Sequence, residues 1–233
     1  MALLTKDLSM TLSRSLRPAA RLRCLALLGL ALLPHTAHAQ TFISNDINQN
    51  LATSGSGNNL NDNQTKAYGF TTAALSNFQF TSATISLTLV TGTNNTVSGG
   101  IYADSGGNPS STQLVAFNTV SVSSGGVNYR TFTPVSTFQL TPNTTYWVRF
   151  FSTTAGAGTQ WNAVPSTFPT ATGDYNGLVT LLGYKNSNTS GASWGTSTLT
   201  NGITITLVTL PEPGTFALLA LGLVGGVIAR RRK

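Results

Sequence analysis

Residues 78–90 read FQFTSATISLTLV, and this run carries the clearest secondary-structure signal of the chain. In its second half, Ile85, Leu87 and Leu89 alternate with serine, threonine and valine. An apolar residue at every second position is typical of a β-strand with one buried face, and the branched Cβ of threonine suits the pleat. The run therefore predicts a long strand and indicates a fold built from strands.

The same alternation recurs along the chain. It is clear in YWVRF at 146–150 and in ITITLV at 203–208, and no segment between residues 40 and 210 shows convincing helical periodicity. We predict strands at roughly 67–72, 77–90, 97–103, 112–120, 127–133, 136–140, 145–152, 158–164, 177–184 and 198–208. Runs rich in glycine, asparagine, serine and proline separate them, and Asn201-Gly202 predicts the last hairpin turn. This spacing predicts an all-β fold, a single jelly-roll-like β-sandwich over residues 40–210.

The charge distribution of the chain argues against nucleic-acid binding. Only 8% of the 233 residues are charged, against about 25% in an average soluble protein, and the formal net charge of +7 is concentrated at the two ends. Between Gln40 and Leu210 there are four cations and four anions: Lys66, Arg130, Arg149, Lys185, Asp46, Asp62, Asp104 and Asp174. The predicted sandwich is therefore neutral and lacks the basic patch that would release counterions from DNA or RNA.

Residues that carry most enzyme chemistry are missing from the predicted sandwich. The only cysteine is Cys24, the only histidines are His35 and His38, and the only glutamate is Glu212. A Ser-His-Asp triad, a Cys-His pair and a His- or Cys-liganded zinc site are therefore excluded between residues 40 and 210. One hydrolytic alternative is a glycosidase that pairs two of the four aspartates, with carboxyl groups about 5–9.5 Å apart. We expect a non-catalytic protein that has no cofactor.

The N-terminal segment, residues 1–39, has the pattern of a secretory signal peptide. Four arginines precede the apolar run Cys24–Leu33, and the small-x-small triplet Ala37-His38-Ala39 follows. We predict transport by the general secretion machinery and cleavage by signal peptidase after Ala39. The alternative is an N-terminal membrane anchor, which is disfavoured because the run has 10 residues and a span needs about 20.

The C-terminal segment, residues 211–233, has three parts in order. Pro211-Glu212-Pro213 interrupts regular structure, because proline cannot continue a strand or lie inside a helix. The apolar run Phe216–Ala229 follows, and as a 14-residue helix it would be about 21 Å long, short of a hydrocarbon core of about 30 Å. The basic cluster Arg230–Lys233 would stay on the cytoplasmic side. The segment predicts a short transmembrane helix preceded by a distinct proline motif. The alternative is an ordinary C-terminal membrane anchor in which the two prolines are incidental.

This three-part tail resembles the PEP-CTERM sorting signal of Gram-negative bacteria. The resemblance implies a protein that is held transiently in the inner membrane, processed by an exosortase-type membrane protease and exported to the cell surface or extracellular matrix. It also implies an association with exopolysaccharide or biofilm. Carried over to this chain, Pro211, Glu212 and Pro213 are recognition residues for the protease and have no catalytic role.

The central region resembles the choice-of-anchor R domain of bacterial surface proteins. The resemblance is carried by YGFTT at 68–72, the apolar strand at 85–90, IYADSGGNPS at 101–110 and LTPNTTYWV at 140–148, and it covers roughly residues 45–205. It implies a surface location and a matching architecture. It provides no catalytic or binding residues.

Aromatic residues form a candidate carbohydrate site. Trp161 and Trp194 lie in polar, glycine- and asparagine-rich sequence, which makes them the surface candidates for a sugar-stacking platform that would also include Tyr175 and Tyr184. Trp147 lies in the densest aromatic strand and is predicted to be core. A carbohydrate-binding module is therefore the alternative function, and it requires Trp161 and Trp194 to be exposed together.

Asp104 is a weak calcium candidate, because it begins the glycine-rich turn Asp104-Ser105-Gly106-Gly107-Asn108. Calcium sites need six or more oxygens and usually more than one carboxylate. A single aspartate in such a turn more often accepts hydrogen bonds from nearby backbone N–H groups. We therefore predict a turn residue and no metal site, and we expect Asp46 and Asp62 to lie in a solvated loop.

Overall fold

The computed structural model divides the chain into two compact units, Met1–Thr36 and Ala37–Lys233. The structure describes residues 39–45, 57–61, 63–74, 77–154, 158–164, 172–173, 178–210 and 222, all in the second unit. The regular elements described between residues 39 and 210 are strands, which confirms the predicted all-β class. Within the described residues, no helix has both the length and the hydropathy needed to cross a membrane. The helix predicted in residues 211–233 lies outside the described residues, apart from Gly222.

Sheet A is antiparallel and has eight strands in the described part of the chain. They are β1 (Ala39–Ser44), β2 (Gly57–Leu60), β4 (Phe78–Thr91), β8 (Asn128–Phe132), β9 (Phe138–Leu140), β11 (Gly158–Asn162), β12 (Thr172–Gly173) and β15 (Ile203–Thr209). The order is β12-β1-β15-β4-β11-β2, and β8 and β9 also pair with β4. The strand whose sequence alternates most clearly, β4, therefore organises this sheet.

Sheet B is also antiparallel and has seven strands among the described residues. They are β3 (Thr65–Thr72), β5 (Asn94–Asp104), β6 (Pro109–Ala116), β7 (Val120–Ser123), β10 (Thr145–Ser152), β13 (Val179–Ser187) and β14 (Gly195–Thr196). The order is β14-β13-β3-β10-β5-β6, and β7 also pairs with β5.

The two sheets pack their apolar faces on one shared core. β4 has a bulge at Thr81, because Phe80 pairs with Leu207 of β15 and Ser82 pairs with the next residue, Thr206. The extra residue shifts the alternation, so Phe80 and Ala83 are both buried. Aromatic rings fill the centre of the core and meet at distances of 4.8–6.4 Å between ring centres: Phe80, Phe117, Phe132, Phe150 and Trp161. Such rings bury large apolar areas without any disulfide.

The connection between β14 and β15 corrects one prediction. The hairpin predicted at Asn201-Gly202 is wrong, because β14 pairs with β13 in sheet B whereas β15 pairs with β1 and β4 in sheet A. The chain crosses between the sheets at this point, and Asn201 and Gly202 are both buried. An Asn-Gly pair favours a hairpin only when the flanking strands pair with each other. Here the asparagine side chain makes hydrogen bonds inside the sandwich instead.

Candidate functional site

The last strand of the fold ends directly before the Pro-Glu-Pro residues. β15 lies between β1 and β4 and ends at Thr209. Leu210 continues the ordered chain, because its N–H donates to the Asn77 carbonyl at 2.9 Å and its carbonyl accepts from Asn77 Nδ2 at 3.2 Å. The predicted recognition residues Pro211, Glu212 and Pro213 follow at once in sequence and lie outside the described residues.

The predicted signal-peptide cleavage point lies beside this junction. Ala39 pairs with Val208 and Gln40 pairs with Leu207 in the antiparallel ladder of β1 and β15. The start of β1 and the end of β15 are therefore at the same end of sheet A. Ala37, the other residue of the predicted cleavage triplet, lies outside the described residues.

The predicted pair of exposed tryptophans does not form. Trp161 is 0% exposed, its indole N–H donates to the Gly202 carbonyl at 2.8 Å, and its ring meets Phe150 and Tyr184 edge-on. The prediction that Trp161 lies at the surface is therefore wrong. Its neighbours in sequence are polar because β11 alternates, and Trp161 occupies the inward position. Tyr184 is buried as well, and Tyr175 lies outside the described residues.

Trp194 belongs to a different cluster, on the outer face of sheet B. It is half-buried and packs with Ala67, Tyr102 and Trp147. Trp147 is 0% exposed, which confirms its prediction as a core residue, although the cluster that buries it lies outside the main core. Trp161, on β11 of sheet A, is in the main core between the sheets, whereas Trp194 packs on the outer face of sheet B, so the two rings cannot stack on one sugar chain.

Arg149 is the cation of this outer cluster. Its guanidinium carbon lies 5.0 Å from the Tyr102 ring centre and 5.5 Å from those of Phe151 and Trp194. Its Nε donates to Thr65 Oγ1 and its Nη2 donates to the carbonyl of Ser190. Burial lowers the pKa of Arg149. These contacts indicate that Arg149 fixes the loop before β14 onto sheet B.

Both carboxylate oxygens of Asp104 accept hydrogen bonds. Its Oδ1 accepts the Trp147 indole N–H at 2.8 Å and its Oδ2 accepts the Gly107 N–H at 3.1 Å. No group of three or more His, Cys, Asp or Glu residues that could hold a metal occurs among the described residues. The other three aspartates of the glycosidase alternative, Asp46, Asp62 and Asp174, lie outside the described residues.

A cleft of about 560 Å³ opens beside Asp104, at the end of β5 and the start of β10. Its lining combines apolar side chains with hydroxyl, carboxamide and carboxylate groups, from Ala103, Asp104, Leu114, Phe138, Gln139, Thr141, Asn143, Thr144, Thr145 and Tyr146. Leu114 is 40% exposed, and the ring of Phe138 is perpendicular to that of Tyr146 at 5.9 Å. The lining therefore places apolar surface beside hydroxyl and carboxamide groups and one carboxylate.

The sequence reasoning missed a fully buried lysine. Lys66 is 0% exposed, and its Nζ donates to Ser197 Oγ at 2.8 Å, to the Leu199 carbonyl at 3.2 Å and to Asn201 Oδ1. The Nζ also lies 5.0 Å from the ring centre of Tyr184. Burial lowers the pKa of Lys66 to about 7, because the apolar surroundings disfavour its charged form.

Asn201, which accepts a hydrogen bond from Lys66, makes further hydrogen bonds through its side chain and its backbone. Its carboxamide Nδ2 donates to the Trp161 carbonyl. Its backbone carbonyl accepts from the Tyr184 hydroxyl at 2.5 Å and from Asn45 Nδ2 at 2.9 Å. Lys66 on sheet B is thus joined to the segment that enters sheet A. The alternation of β3 is the signal that could have found it, because Lys66, Tyr68 and Phe70 are two residues apart.

Comparison with known proteins identifies one segment of the chain. Residues 209–233 match the family described as PEP-CTERM protein-sorting motif. No curated protein and no solved structure gives a significant match. The chain therefore carries a PEP-CTERM motif, which implies an exported protein that is processed by an exosortase. The resemblance of the central region to the choice-of-anchor R domain stays a prediction.

Proposed function

We propose that this chain is an exported, non-catalytic protein of the bacterial cell surface or extracellular matrix, delivered there through exosortase processing. One observation carries the proposal: the PEP-CTERM match begins at Thr209, the last residue of β15. The sorting motif is therefore joined to the folded domain without a linker. We also propose that the domain has jelly-roll-like connectivity and is related to choice-of-anchor R domains. The two antiparallel sheets support this part of the proposal.

The proposed route has two processing steps. The general secretion machinery exports the chain and signal peptidase cuts after Ala39. The short apolar run and the basic cluster behind it then hold the chain in the inner membrane until the exosortase acts on Pro211–Pro213. The pairing of Ala39 with Val208 supports this route, because both ends of the sandwich can face one membrane without distorting the fold.

We propose that the protein is non-catalytic because of the amino-acid composition of its folded domain. Between residues 40 and 210 the sequence has no cysteine, histidine or glutamate, and its four cations balance its four anions. Such a domain presents a polar and nearly uncharged surface, which suits a hydrated polysaccharide matrix because hydrogen bonding there does not depend on charge.

The test of this proposal is fractionation of the native host with and without its exosortase. We expect the wild-type host to place the protein at the surface or in the matrix, and the host without exosortase to retain a longer form in the inner membrane. An exported protein of the same host that lacks the tail serves as the control. Identical size and location in both hosts would contradict the proposal.

A second candidate function is contact with neutral exopolysaccharide at the cleft beside Asp104. The cleft favours it, because Leu114 and Phe138 provide apolar surface beside carboxamide and hydroxyl groups. We expect Phe138→Ala to weaken retention on the host's exopolysaccharide about fivefold, the loss of about 1 kcal/mol of aromatic contact. Val135→Ala is the matched control, because Val135 is 66% exposed and does not line this cleft. Equal retention of both variants and wild type would exclude the cleft.

A further inference from the structure

We propose that Lys66 and Asn201 form an intramolecular isopeptide bond, which joins Lys66 Nζ to Asn201 Cγ and releases ammonia. The two side chains are in direct contact, and both residues are 0% exposed. The bond would be a covalent cross-link between the sheets, and the inference does not depend on the proposed export route.

The reacting groups are positioned by separate parts of the fold. Lys66 lies on β3 of sheet B and points between the sheets, whereas Asn201 lies two residues before Ile203, the first residue of β15 in sheet A. The Asn201 carboxamide is oriented with Oδ1 toward the amine and Nδ2 toward the Trp161 carbonyl. Such fixed proximity makes a reaction between two weakly reactive groups far faster than it is in solution.

The amine is in a suitable state for attack. Only a neutral amine has the lone pair that a nucleophile needs. With its pKa lowered to about 7 by burial, Lys66 has a substantial neutral fraction at neutral pH, which an exposed lysine does not have. The neutral amine keeps two of the three donated hydrogen bonds, to Ser197 and Leu199, and its lone pair replaces the N–H that is directed at Asn201. The rings of Trp161 and Tyr184 lie 6.0 and 5.0 Å from Nζ and form the low-polarity walls of the site.

The reaction balances without any external reactant. The Nζ lone pair attacks Asn201 Cγ, the Cγ–Nζ bond forms and the Cγ–Nδ2 bond breaks. One proton moves from Nζ to the leaving nitrogen, and Ser197 Oγ, which accepts a hydrogen bond from Nζ at 2.8 Å, can take up that proton first. Ammonia leaves past Leu199, which is 39% exposed. The product is an ordinary secondary amide.

A competing reaction would use the same carbon. In an Asn-Gly sequence, the backbone nitrogen of the glycine can attack the asparagine side chain and form a succinimide, also with loss of ammonia. Here the Gly202 N–H donates to the Asn162 carbonyl at 3.0 Å, which holds that nitrogen in the β-structure. The geometry therefore favours Lys66 as the nucleophile.

The cross-link would have a clear structural value. It would close a loop across a sequence separation of 135 residues and would tie the start of β3 to the strand that leads into the sorting motif. Exported proteins commonly gain such a constraint from disulfides. This chain has no cysteine after Cys24, so an amide is the covalent cross-link that its residues allow.

The experiment is mass spectrometry of the mature chain exported by its host, intact and after trypsin digestion, with the mass calculated from the observed termini and any cyclised N-terminal glutamine counted separately. We expect a mass about 17 Da below that calculated mass and a branched peptide that joins the Lys66 and Asn201 regions, with no cleavage after Lys66. Lys66→Arg should restore the full mass. Lys185→Arg, the matched control on β13, should keep the cross-link. An unchanged mass with cleavage after Lys66 would overturn the proposal, and so would a linear peptide that has lost ammonia at Asn201-Gly202.

Discussion

Ala39 lies opposite Val208 in the antiparallel pairing of β1 with β15, so the first and last strands of the sandwich are neighbours. Each of these strands is joined in sequence to a segment with a targeting pattern. The register has a direct consequence for the mature protein, because Gln40 can remain paired with Leu207 after a cut that removes Ala39.

We predict that the mature protein begins at Gln40. The small-x-small triplet that ends at Ala39 provides the cleavage signal, and the residue after it begins the part of β1 that the fold retains. Terminal sequencing of the exported protein measures this directly. A mature chain that begins upstream of Pro34 would show that the leader is retained.

Trp161 should contribute far more to stability than Trp194. Trp161→Ala should lower the free energy of unfolding by about 3–5 kcal/mol, because it leaves a cavity among Phe150 and Tyr184 and removes the N–H that satisfies the Gly202 carbonyl. Trp194→Ala should cost about 1 kcal/mol, since that ring is only half-buried. Urea denaturation of the two full-length variants gives the comparison. Equal losses would contradict the assignment of Trp161 to the core.

Metal removal should leave the stability of the protein unchanged. The Asp104 carboxylate is occupied by the Trp147 and Gly107 N–H groups. A cation bound at 100 times its dissociation constant would add about 2.7 kcal/mol, so its loss would lower the melting temperature by several degrees. Thermal melts with and without a chelator test this. A clear decrease with chelator that calcium reverses would restore Asp104 as a metal ligand.

The pH dependence of stability should report on the Lys66 amine. In a chain without the cross-link, burial lowers the pKa of Lys66 from 10.5 to about 7. Between these values the unfolded state binds more protons than the folded state, so the free energy of unfolding rises as pH increases. We expect Asn201→Ala, which keeps the amine but cannot form the amide, to show this rise between about pH 7 and pH 9.

The wild-type protein should lack that rise, because the amide has consumed the amine. Tyr68 and Tyr184 do not interfere in this range, since burial raises the pKa of both hydroxyls. Urea denaturation at the two pH values measures the difference. The same rise in wild type and variant would show that the amine of Lys66 has not formed the amide in the mature protein.

The local alternation of apolar and polar residues was sufficient to predict much of the fold. The long strands β4, β10 and β15 were predictable, since each alternates apolar residues with threonine or other polar residues. The two-residue strands β12 and β14 were not, because Thr-Gly and Gly-Thr pairs have no periodicity of their own. Their pairing is imposed by the neighbouring strands.

The misplaced residues share a physical cause. Trp161 and Asn201 were assigned to the surface or to a turn from the polarity of their neighbours, but both satisfy their polar groups inside the protein. A buried polar group is tolerated when its partners are present, and those partners come from strands distant in sequence. Lys66 was overlooked because a lysine side chain is normally expected to be exposed to solvent. Its hydrogen-bond partners also come from a segment distant in sequence.

The most direct measurement of the central claim is the processing of a Glu212→Ala variant in the native host. Glu212 follows the last strand, so the sandwich should fold as in wild type, and Thr215→Ala serves as the matched control in the same tail. If an exosortase recognises Pro-Glu-Pro, full-length Glu212→Ala precursor should accumulate in the inner membrane while Thr215→Ala is processed. If Glu212→Ala is processed and reaches the surface like wild type, the tail is only an anchor and the sorting account is contradicted.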